Sequence, residues 1–460
     1  MSRNPFQYLL PVSPDNFVGR WPLVESIALD LTFERGDSYA IIAGRRCGKS
    51  SLLLTLGHHL RQPETAVDGE WRPLPLFIDL KNGNFSTEEA IYAYVLNELC
   101  RRVDVNSRRR PKDAWPEPVS LEKDWFKLLL AESTLSLLDF QDGVGYILDQ
   151  LSSPTKPARL ILLIDEFDEV LGHAWTNALF NQMRALIVAS DLNERVRLVL
   201  AGSRRFLDEV SDRGSPLWNV LKLRFLVAFN EESIRKLAAR AEGLSEEVVT
   251  AVWQQSGGHP FLAQYLLHYF WEDSPSGDDA GAVRRLASRF QHEEVAHLEG
   301  WSRAIEAVGR RTYAILAEED GWIKETKIVR AVQESPKEIR RGLTALWYHA
   351  LVIHDGSWTN YKQMGDLFKT WFDGNIIVPD SPDDIVVLYK LISKYFSNGE
   401  LHELCMELEI IYDSLPGQGT RNKARELVAY FDRHGQINQL IRICSQLRPN
   451  VNWSDSGKQL

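Results

Sequence analysis

Runs rich in apolar residues alternate with stretches of helical periodicity through the first half of the chain. Four such runs are predicted to be buried strands, and they occupy residues 37–42, 74–80, 159–164 and 196–201. Between them, apolar positions recur at helical spacing near residues 87–102 and 132–151. Strands that alternate with helices are typical of an α/β fold with a parallel sheet. The first half is therefore predicted to be one α/β core.

Helical periodicity dominates the second half. Residues 230–300 are predicted to be mostly helical, with a break at Gly257–Pro260, where glycines stop one helix and proline starts the next. Three further helices and two short strands are predicted at residues 304–317, 326–333, 336–349, 351–354 and 358–361. This order indicates a winged helix, a module that can place a helix in a DNA groove.

A linker signal separates the last segment from the rest. Val378–Pro382 combines two prolines with small and acidic residues. Beyond it, helical patterns are broken at Asn398-Gly399, Pro416–Gly419 and His434-Gly435. The pattern predicts a helical bundle of roughly 70 residues, which is small enough to be marginally stable alone.

Composition narrows the function classes. A net charge of -10 argues against a general nucleic-acid binder, because duplex affinity rests on surface cations. The basic run Arg108–Lys112 is predicted to be a solvated loop. No apolar run approaches the roughly 18 residues of a membrane span, and Met1–Phe6 lacks the apolar core of a signal peptide. Four scattered cysteines predict reduced thiols, so a cytoplasmic protein with no membrane partner is expected.

A phosphate-binding loop is predicted at residues 43–51, which read Ala-Gly-Arg-Arg-Cys-Gly-Lys-Ser-Ser. The loop lies between the first predicted strand and a helix start, which is the context that the motif requires. Backbone N–H groups of such a turn converge on phosphate oxygens, and the helix N-terminus adds partial positive charge. The predicted phosphate contacts are Gly44, Arg45, Arg46, Cys47, Gly48, Lys49, Ser50 and Ser51.

Individual residues of this loop have expected roles. Lys49 would reach the β- and γ-phosphates of ATP, and the Ser50 hydroxyl would bind Mg²⁺. Ala43 replaces the usual first glycine, which is tolerable only if its φ is negative. Cys47 has two interpretations: its oxidation could block the nucleotide, or it is simply a small residue that fills a turn.

The third predicted strand ends in Asp165-Glu166, which is what a Walker B element looks like. Asp165 would hold Mg²⁺ through water, and Glu166 would polarise the attacking water. An acidic strand end about 115 residues after a phosphate-binding loop is specific for additional-strand P-loop ATPases.

The fourth predicted strand runs into Gly202–Arg205. In P-loop folds of this type, the strand between the phosphate-binding loop and Walker B carries a polar sensor at its carboxyl end, where ligands bind. Ser203 or Arg204 is therefore a candidate reader of the γ-phosphate, with Arg205 as an alternative. These arginines could equally pair with surface carboxylates.

Together these pieces resemble the STAND class of signal-transducing P-loop ATPases, near its archaeal-type ATPase branch. The resemblance spans residues 14–375 and rests on Phe17–Arg20, Gly44–Ser50, Ile164–Asp168, Gly202–Arg204 and Gly257–Pro260. It implies that Val18 and Arg20 lie against the adenine and that Pro260 of a helical lid approaches the base. It also implies that Arg204 is the sensor arginine.

Two roles are open for the winged helix. In STAND relatives it packs against the nucleotide and acts as a conformational lever. The alternative is a DNA-binding P-loop ATPase, similar to archaeal initiator-like proteins, whose recognition helix would carry Lys337, Arg340 and Arg341. The acidic total charge favours the lever, so DNA is not an expected partner.

The last segment is similar to the bacterial effector-associated domains, which are death-fold-like adaptors. The similarity rests on Leu415–Gly417, Ala424–Phe431, Arg448–Asn450 and Trp453. It implies recruitment of an effector protein that carries a matching domain. Acidic residues are concentrated in the first half of the segment, at Glu400, Glu403, Glu407, Glu409 and Asp413. Basic residues dominate the second half, at Arg421, Lys423, Arg425, Arg433, Arg442 and Arg448. Such a bundle can stack head to tail, although ordinary solvated faces explain the same charges.

The predicted organisation is an AAA-like additional-strand P-loop NTPase core (1–228), a helical lid (229–300), a winged helix (301–375), a linker (376–382) and an effector-associated helical domain (383–460). The predicted function is an ATP-dependent switch of a bacterial conflict or antiviral pathway. It would bind ATP or ADP with Mg²⁺, hydrolyse ATP slowly, self-associate on activation and recruit its effector. A scaffold that holds nucleotide without hydrolysing it is a further alternative, against which Asp165 and Glu166 argue.

Overall fold

The computed structural model divides the chain into two compact units. The first comprises Met1–Leu286 with Tyr348–Ala350, and the second comprises Ala287–Trp347 with Leu351–Leu460. The residues that the structure describes are 4–33, 35–62, 70–107, 111, 113–273, 279–319, 321–332, 334–374, 382–408, 410–417, 419–433, 436–448, 451 and 453. The predicted basic run at 108–112, apart from Pro111, lies outside them, as do linker residues 376–381, Glu409 and the break at 434–435. The five-part domain division stays a prediction.

A five-stranded parallel sheet forms the centre of the first unit. Its strands are β1 (Ser38–Ile42), β2 (Arg72–Asp79), β3 (Ala158–Asp165), β4 (Val196–Gly202) and β5 (Leu221–Phe225), and their order in the sheet is β2-β3-β4-β1-β5. Every paired strand is parallel. Because β4 lies between β1 and β3, the sheet has the additional-strand order, and the predicted α/β P-loop fold class is confirmed. The sequence patterns did not predict β5, whose residues are only partly buried and mix charges with apolar positions.

Helices alternate with the strands of the sheet, and further helices come after its last strand in the chain. They are α1 (Trp21–Thr32), α2 (Lys49–Leu60), α3 (Glu88–Val103), α4 (Asp124–Leu129), α5 (Leu137–Leu151), α6 (Thr176–Val188), α7 (Arg204–Ser211), α8 (Glu231–Ala238), α9 (Glu246–Ser256), α10 (Pro260–Asp273) and α11 (Ala280–Glu293). Short 3-10 helices lie at Pro14–Asn16, Leu80–Asn82 and Phe167–Val170. The central strands β3 and β4 are buried along their whole length, which explains why their sequences are nearly continuous apolar runs.

A buried arginine ties the amino ends of the strands to the loops around them. Arg159 has no exposed surface, and its guanidinium donates to the carbonyl oxygens of Leu31 (2.9 Å) and Glu194 (2.7 Å). It also lies over the Trp71 ring at 4.1 Å. Burial lowers the pKa of Arg159 to about 9. This charged residue inside an apolar strand therefore has a structural role, far from the carboxyl ends of the strands.

In the second unit, a small antiparallel sheet accompanies the helices of the predicted winged-helix segment. The sheet has the order β6-β8-β7, formed by β6 (Ile323–Lys324), β7 (Val352–His354) and β8 (Asn360–Gln363). The helices from residue 295 onward are α12 (Val295–Ala304), α13 (Glu306–Ala317), α14 (Glu325–Val332), α15 (Pro336–Tyr348) and α16 (Asp366–Gly374). The two-residue strand β6 was too short for its period to be detected in the sequence.

The C-terminal bundle has an apolar core of its own. It consists of α17 (Pro382–Tyr395), α18 (Asn398–Glu407), a 3-10 turn at Tyr412–Ser414, α19 (Thr420–Arg433) and α20 (Ile437–Leu447). Ser397 begins α18 with a capping box to Glu400. Lys423 is buried, and its ammonium donates to the carbonyl oxygens of Tyr412 (3.0 Å) and Leu415 (2.6 Å). One cation of the predicted basic half therefore fixes the turn before α19. Among the described residues, no helix combines the length and apolar character needed to cross a bilayer.

Candidate nucleotide-binding site

The predicted phosphate-binding loop connects the end of β1 to the first turn of α2. Gly48 caps α2 with a φ of 89°, a left-handed conformation that favours glycine, and α2 begins at Lys49. Ala43 has no positive φ, so the alanine fits where a glycine is usual. The Lys49 ammonium lies 3.2 Å from the carbonyl oxygens of both Ala43 and Gly44. The loop therefore curls around its own lysine at the N-terminus of a 12-residue helix.

The sheet order brings the predicted Walker B element close to this loop. Ile42 of β1 pairs with Gly202 of β4, and Leu200 of β4 pairs with Ile164 of β3. The carboxyl ends of the three strands are thus neighbours, as the additional-strand order requires. Asp165, the last residue of β3, has the Ser50 side chain beside its carboxyl group. Burial is the main influence on the Asp165 carboxyl and raises its pKa.

The donor set at this point fits Mg²⁺. A hydroxyl oxygen and a carboxylate oxygen are hard ligands, and the Ser50 and Asp165 side chains place them close together at the start of α2. Mg²⁺ is commonly held by one or two carboxylates together with substrate phosphates. Among the described residues, no group of three or more His, Cys, Asp or Glu side chains could hold a metal ion. The chemistry of Ser50 and Asp165 therefore suits a metal that arrives with a nucleotide.

Glu166 is held by a lysine that the sequence analysis missed. Its φ of 53° is left-handed, which turns the residue away from the line of β3. The Lys81 ammonium lies 2.9 Å from Glu166 Oε1. Lys81 belongs to the 3-10 helix that follows β2, the strand next to β3. The residue predicted to polarise water is therefore paired with a cation from the neighbouring strand end.

Arg20 contacts the backbone of the phosphate-binding loop. Its guanidinium donates to the carbonyl oxygens of Cys47 (2.6 Å) and Val227 (2.5 Å) and lies 4.9 Å from the centre of the Phe229 ring. Burial lowers the pKa of Arg20 to about 10. Arg20 therefore braces the loop backbone against the segment after β5. The adenine contacts of Val18 and Arg20 stay predictions.

The turn between α9 and α10 also touches the loop. Gly257 and Gly258 both have positive φ, and Pro260 is the first residue of α10. His259 Nε2 lies 3.7 Å from Cys47 Sγ, and both side chains are buried. Burial raises the pKa of Cys47 to about 11, so its thiol is protonated at neutral pH. This supports the interpretation of Cys47 as a small residue in a packed turn. The contact of Pro260 with the base stays a prediction.

The candidate sensor residues are engaged within the core. The Ser203 hydroxyl and amide donate to Asp168 at 2.8 and 2.6 Å, so Asp168 fixes the start of α7. Arg204 Nε lies 3.6 Å from Asp208, and Arg205 donates to the carbonyl oxygen of Leu171. Whether any of the three side chains reads the γ-phosphate stays a prediction. Arg204 has the environment that fits the role best, because its side chain is mostly buried.

His349 is a site residue that sequence reasoning did not identify. The carbonyl oxygen of Tyr348 accepts the Gly44 amide at 2.9 Å, and a Cβ atom on Gly44 would lie 2.4 Å from His349 Nδ1. His349 is buried, and its Nδ1 has no hydrogen-bond partner among the residues that the structure describes. Burial, and then the charges of Lys49, Arg204 and Arg45, lower the pKa of His349 to about 3. A neutral imidazole thus packs against the loop at Gly44, its first glycine.

The first described residues join the loop to α10. The Val12 amide donates to Ser51 Oγ at 3.1 Å, and Arg46 donates to the carbonyl oxygen of Leu9 at 2.8 Å. Tyr8 packs edge-on against the Tyr265 ring of α10 at 5.2 Å. The phosphate-binding loop is therefore contacted by the N-terminal segment, by the turn before α10 and by Tyr348–Ala350, all within the first unit.

Comparison with known proteins gives one family match and several distant structural similarities. Residues 388–449 match the model of effector-associated domain 7. No curated protein matches the sequence significantly. The Aeropyrum pernix ORC2 protein, solved as ADPNP and ADP complexes, has 12% identity and a TM-score of 0.44, covering 81% of this chain and 97% of its own. The Aeropyrum pernix ORC1 protein in complex with DNA has 12% identity and a TM-score of 0.39, covering 80% and 94%.

A STAND protein with a tetratricopeptide repeat sensor from Pyrococcus horikoshii is also similar, with 15% identity and a TM-score of 0.30. The alignment covers 94% of this chain and 54% of that protein, so this chain spans about half its length. The family match agrees with the resemblance that the sequence implied for the last segment. The C-terminal bundle, centred on residues 388–449, is therefore similar to effector-associated domain 7.

Proposed function

We propose that this protein is an ATP-dependent switch that relays a signal to an effector through its C-terminal bundle. The observation that carries the proposal is the convergence of Lys49, Ser50, Asp165 and Glu166 at the carboxyl ends of β1 and β3, the two strands that flank β4, with His349 packed on the same loop. ATP supplies the phosphates that Lys49 and the loop amides bind, and Mg²⁺ supplies charge neutralisation between Ser50 and Asp165. Glu166 orients the attacking water, and hydrolysis is slow.

Switching requires that nucleotide binds two states differently. The contact of Tyr348–Ala350 with Gly44 supports two such states, because the Tyr348 carbonyl oxygen takes up the Gly44 amide of the phosphate-binding loop. A bound nucleotide competes for this part of the loop, so the state without the contact is the one that ATP favours. The predicted winged-helix segment then acts as the lever, and the released form self-associates.

The match to effector-associated domain 7 supports recruitment of a partner effector. A role in a bacterial conflict or antiviral pathway, in the cytoplasm, completes the proposal. Part of the charge layout of the bundle is used internally, since Arg448 pairs with Glu400 at 2.5 Å and joins the basic half to the acidic half. Met406 and Ile411 are exposed beside the acidic residues and offer apolar contacts to a partner.

Duplex DNA binding by α15 receives less support. Arg340 Nε lies 2.9 Å from Glu325, and Arg341 lies 3.9 Å from Glu338. Two of the three predicted recognition cations are therefore paired with carboxylates of the same segment.

The size of the particle tests the switch. Light scattering of the full chain with Mg²⁺ and a non-hydrolysable ATP analogue is expected to show a larger assembly than the same protein with ADP. The Lys49→Ala variant is the control, because it lacks the cation that reads the β- and γ-phosphates, and it is expected to keep one size with both nucleotides. An unchanged monomer in the native protein, with the analogue demonstrably bound, would contradict the proposal.

The Lys81–Glu166 pair predicts a gain of activity. In the Lys81→Met variant, Glu166 loses its partner at 2.9 Å and is free to approach the water, so basal ATP hydrolysis is expected to rise. Because an exposed ion pair contributes about 0–1 kcal/mol of interaction free energy, the rate of ATP hydrolysis is expected to rise by up to about fivefold. Phosphate release measured at saturating ATP gives the rate.

The matched control is Lys127→Met, which removes an exposed lysine paired with Asp124 far along the chain from the site. Adding Glu166→Gln to Lys81→Met is expected to erase the gain. A fall in the rate of Lys81→Met would mean that the lysine positions Glu166 for catalysis instead of holding it back.

A further inference from the structure

A cleft in the second unit has the features of a ligand site that the switch does not use. Its volume is about 540 Å³, within the usual range for small-molecule sites. It lies between the start of α14, Arg340 of α15 and the turn that joins β7 to β8. The lining residues are Lys324, Glu325, Thr326, Arg340, Ser357, Trp358, Thr359 and Asn360.

Trp358 provides an aromatic surface to this cleft. The residue is 41% exposed although tryptophan is a large apolar side chain. One side of it stacks on the His354 ring, with centroids 3.8 Å apart and planes 21° apart, and Trp347 packs edge-on at 4.8 Å. The indole is therefore supported from behind while part of it faces solvent.

The backbone at Trp358 is strained to achieve this. Its φ is 61°, a left-handed conformation that costs a bulky residue of order 1–3 kcal/mol. The Asp355 carboxylate compensates by accepting the Ser357 amide (3.0 Å), the Ser357 hydroxyl (2.7 Å) and the Asn360 side-chain amide (2.5 Å). These hydrogen bonds hold the pKa of Asp355 well below its usual range, so the carboxylate stays charged. The turn is thus pre-organised, and Trp358 is presented without the need for folding on binding.

Cations and hydroxyl-bearing residues line the cleft together with Trp358. Lys324 is exposed. Arg340 is paired with Glu325 through Nε, and its side chain is still 67% exposed. Ser357 and Thr359 line the same cleft, and their hydroxyls donate to the Asp355 carboxylate. Glu325 is the one acid among the lining residues and is largely covered beside Arg340. The described lining therefore carries two cations and one paired carboxylate, and the Asp355 carboxylate adjoins it through its hydrogen bonds to Ser357 and Asn360.

We propose that this cleft binds an unpaired nucleotide of a single-stranded nucleic acid, with the base stacked on Trp358 and its phosphate on Lys324 and Arg340. A stacking surface flanked by cations is the combination with which proteins bind single strands. A base inside a duplex has both faces covered by its neighbours and cannot use Trp358. The proposal goes beyond the ATP switch, because it gives the chain a second ligand at a site that contains none of the nucleotide-binding residues.

Binding of labelled oligonucleotides to the full chain, without ATP or Mg²⁺, tests the proposal. A 12-nucleotide oligo(dT) is expected to bind and to quench tryptophan fluorescence, and a blunt duplex of the same length is expected to bind at least tenfold more weakly. Because stacking is worth about 1–3 kcal/mol per base, Trp358→Ala is expected to weaken oligo(dT) binding about tenfold or more. Trp358→Phe, which keeps a ring, should retain most of the affinity. Trp218→Ala, which removes an exposed tryptophan of the first unit, is the matched control and should change nothing.

A second variant keeps the test valid if Trp358→Ala folds poorly. Lys324→Glu changes an exposed side chain and is expected to weaken binding and to reduce its salt dependence. Competition by dTMP separates the two sources of the ligand: weak competition supports a strand, and competition as strong as that of oligo(dT) would replace the strand by a free nucleotide. Equal affinities of the native protein and both variants, or tighter binding of the duplex, would overturn the proposal.

Discussion

Replacing Glu166 by glutamine is expected to lower ATP hydrolysis by about two to three orders of magnitude while ATP binding is retained. Glu166 follows directly on Asp165 at the carboxyl end of β3, which β4 separates from β1, the strand before the phosphate-binding loop. Glutamine preserves the size and hydrogen bonding of the side chain but cannot take a proton from water. The loss therefore falls on the chemical step, and a filter or fluorescence assay for bound ATP should give a dissociation constant close to that of the native protein.

Two comparisons make this result specific. Glu169→Gln changes an exposed carboxylate one turn further along the same segment and is expected to leave the rate unchanged. The Lys49→Ala variant is expected to lose both ATP hydrolysis and tight ATP binding, because it lacks the loop cation that reaches the β- and γ-phosphates. Hydrolysis at the native rate in Glu166→Gln would mean that another residue activates the water, and the assignment of the Walker B element would then be wrong.

Local patterns were sufficient to predict the centre of the fold. The strand, loop and helix around Lys49 and the apolar strand before Asp165 are contiguous in sequence, so their periodicity and end residues carry the information. The position of β4 between β1 and β3 followed from the fold class, and the sheet order confirms that fold class. The similarity of the last segment to effector-associated domains was likewise contained in a short stretch of sequence.

Residues that act through tertiary contacts could not be predicted in this way. Lys81 meets Glu166 only because β2 and β3 are adjacent, although the two residues are far apart in sequence. His349 lies in the apolar run Trp347–Leu351, where a histidine reads as part of a helix end. Nothing in that run indicates that its backbone will accept the Gly44 amide. The bracing role of Arg20 is similar, since its acceptors belong to residues 47 and 227.

The contact between His349 and the phosphate-binding loop is expected to open on acidification. Burial, and then the charges of Lys49, Arg204 and Arg45, hold the pKa of His349 near 3 when it is packed, whereas a released histidine has its ordinary value of 6.5. Below pH 6.5 the released histidine is therefore protonated, whereas the packed histidine stays neutral. The contact is fully stable above pH 6.5 and weakens as the pH falls below that value. The equilibrium constant for release of the contact is expected to rise about tenfold for each unit by which the pH falls between 6.5 and 3. The protection of the Gly44 amide against hydrogen exchange, corrected for the intrinsic rate, measures it.

A permanent charge should produce the same opening at neutral pH. His349→Lys would place an ammonium beside Lys49 and Arg204 without a counter-charge, so loss of Gly44 protection is expected at pH 7.5, together with the larger assembly without added ATP analogue. Gly44→Ala reaches the same end by a steric route, because its Cβ would lie 2.4 Å from His349 Nδ1. His58→Lys, on the exposed side of α2, controls for the added charge and should leave both readouts unchanged. If His349→Lys exposes Gly44 yet the particle size stays that of the native protein, then release of this contact does not drive assembly, and the switch must act through another part of the loop.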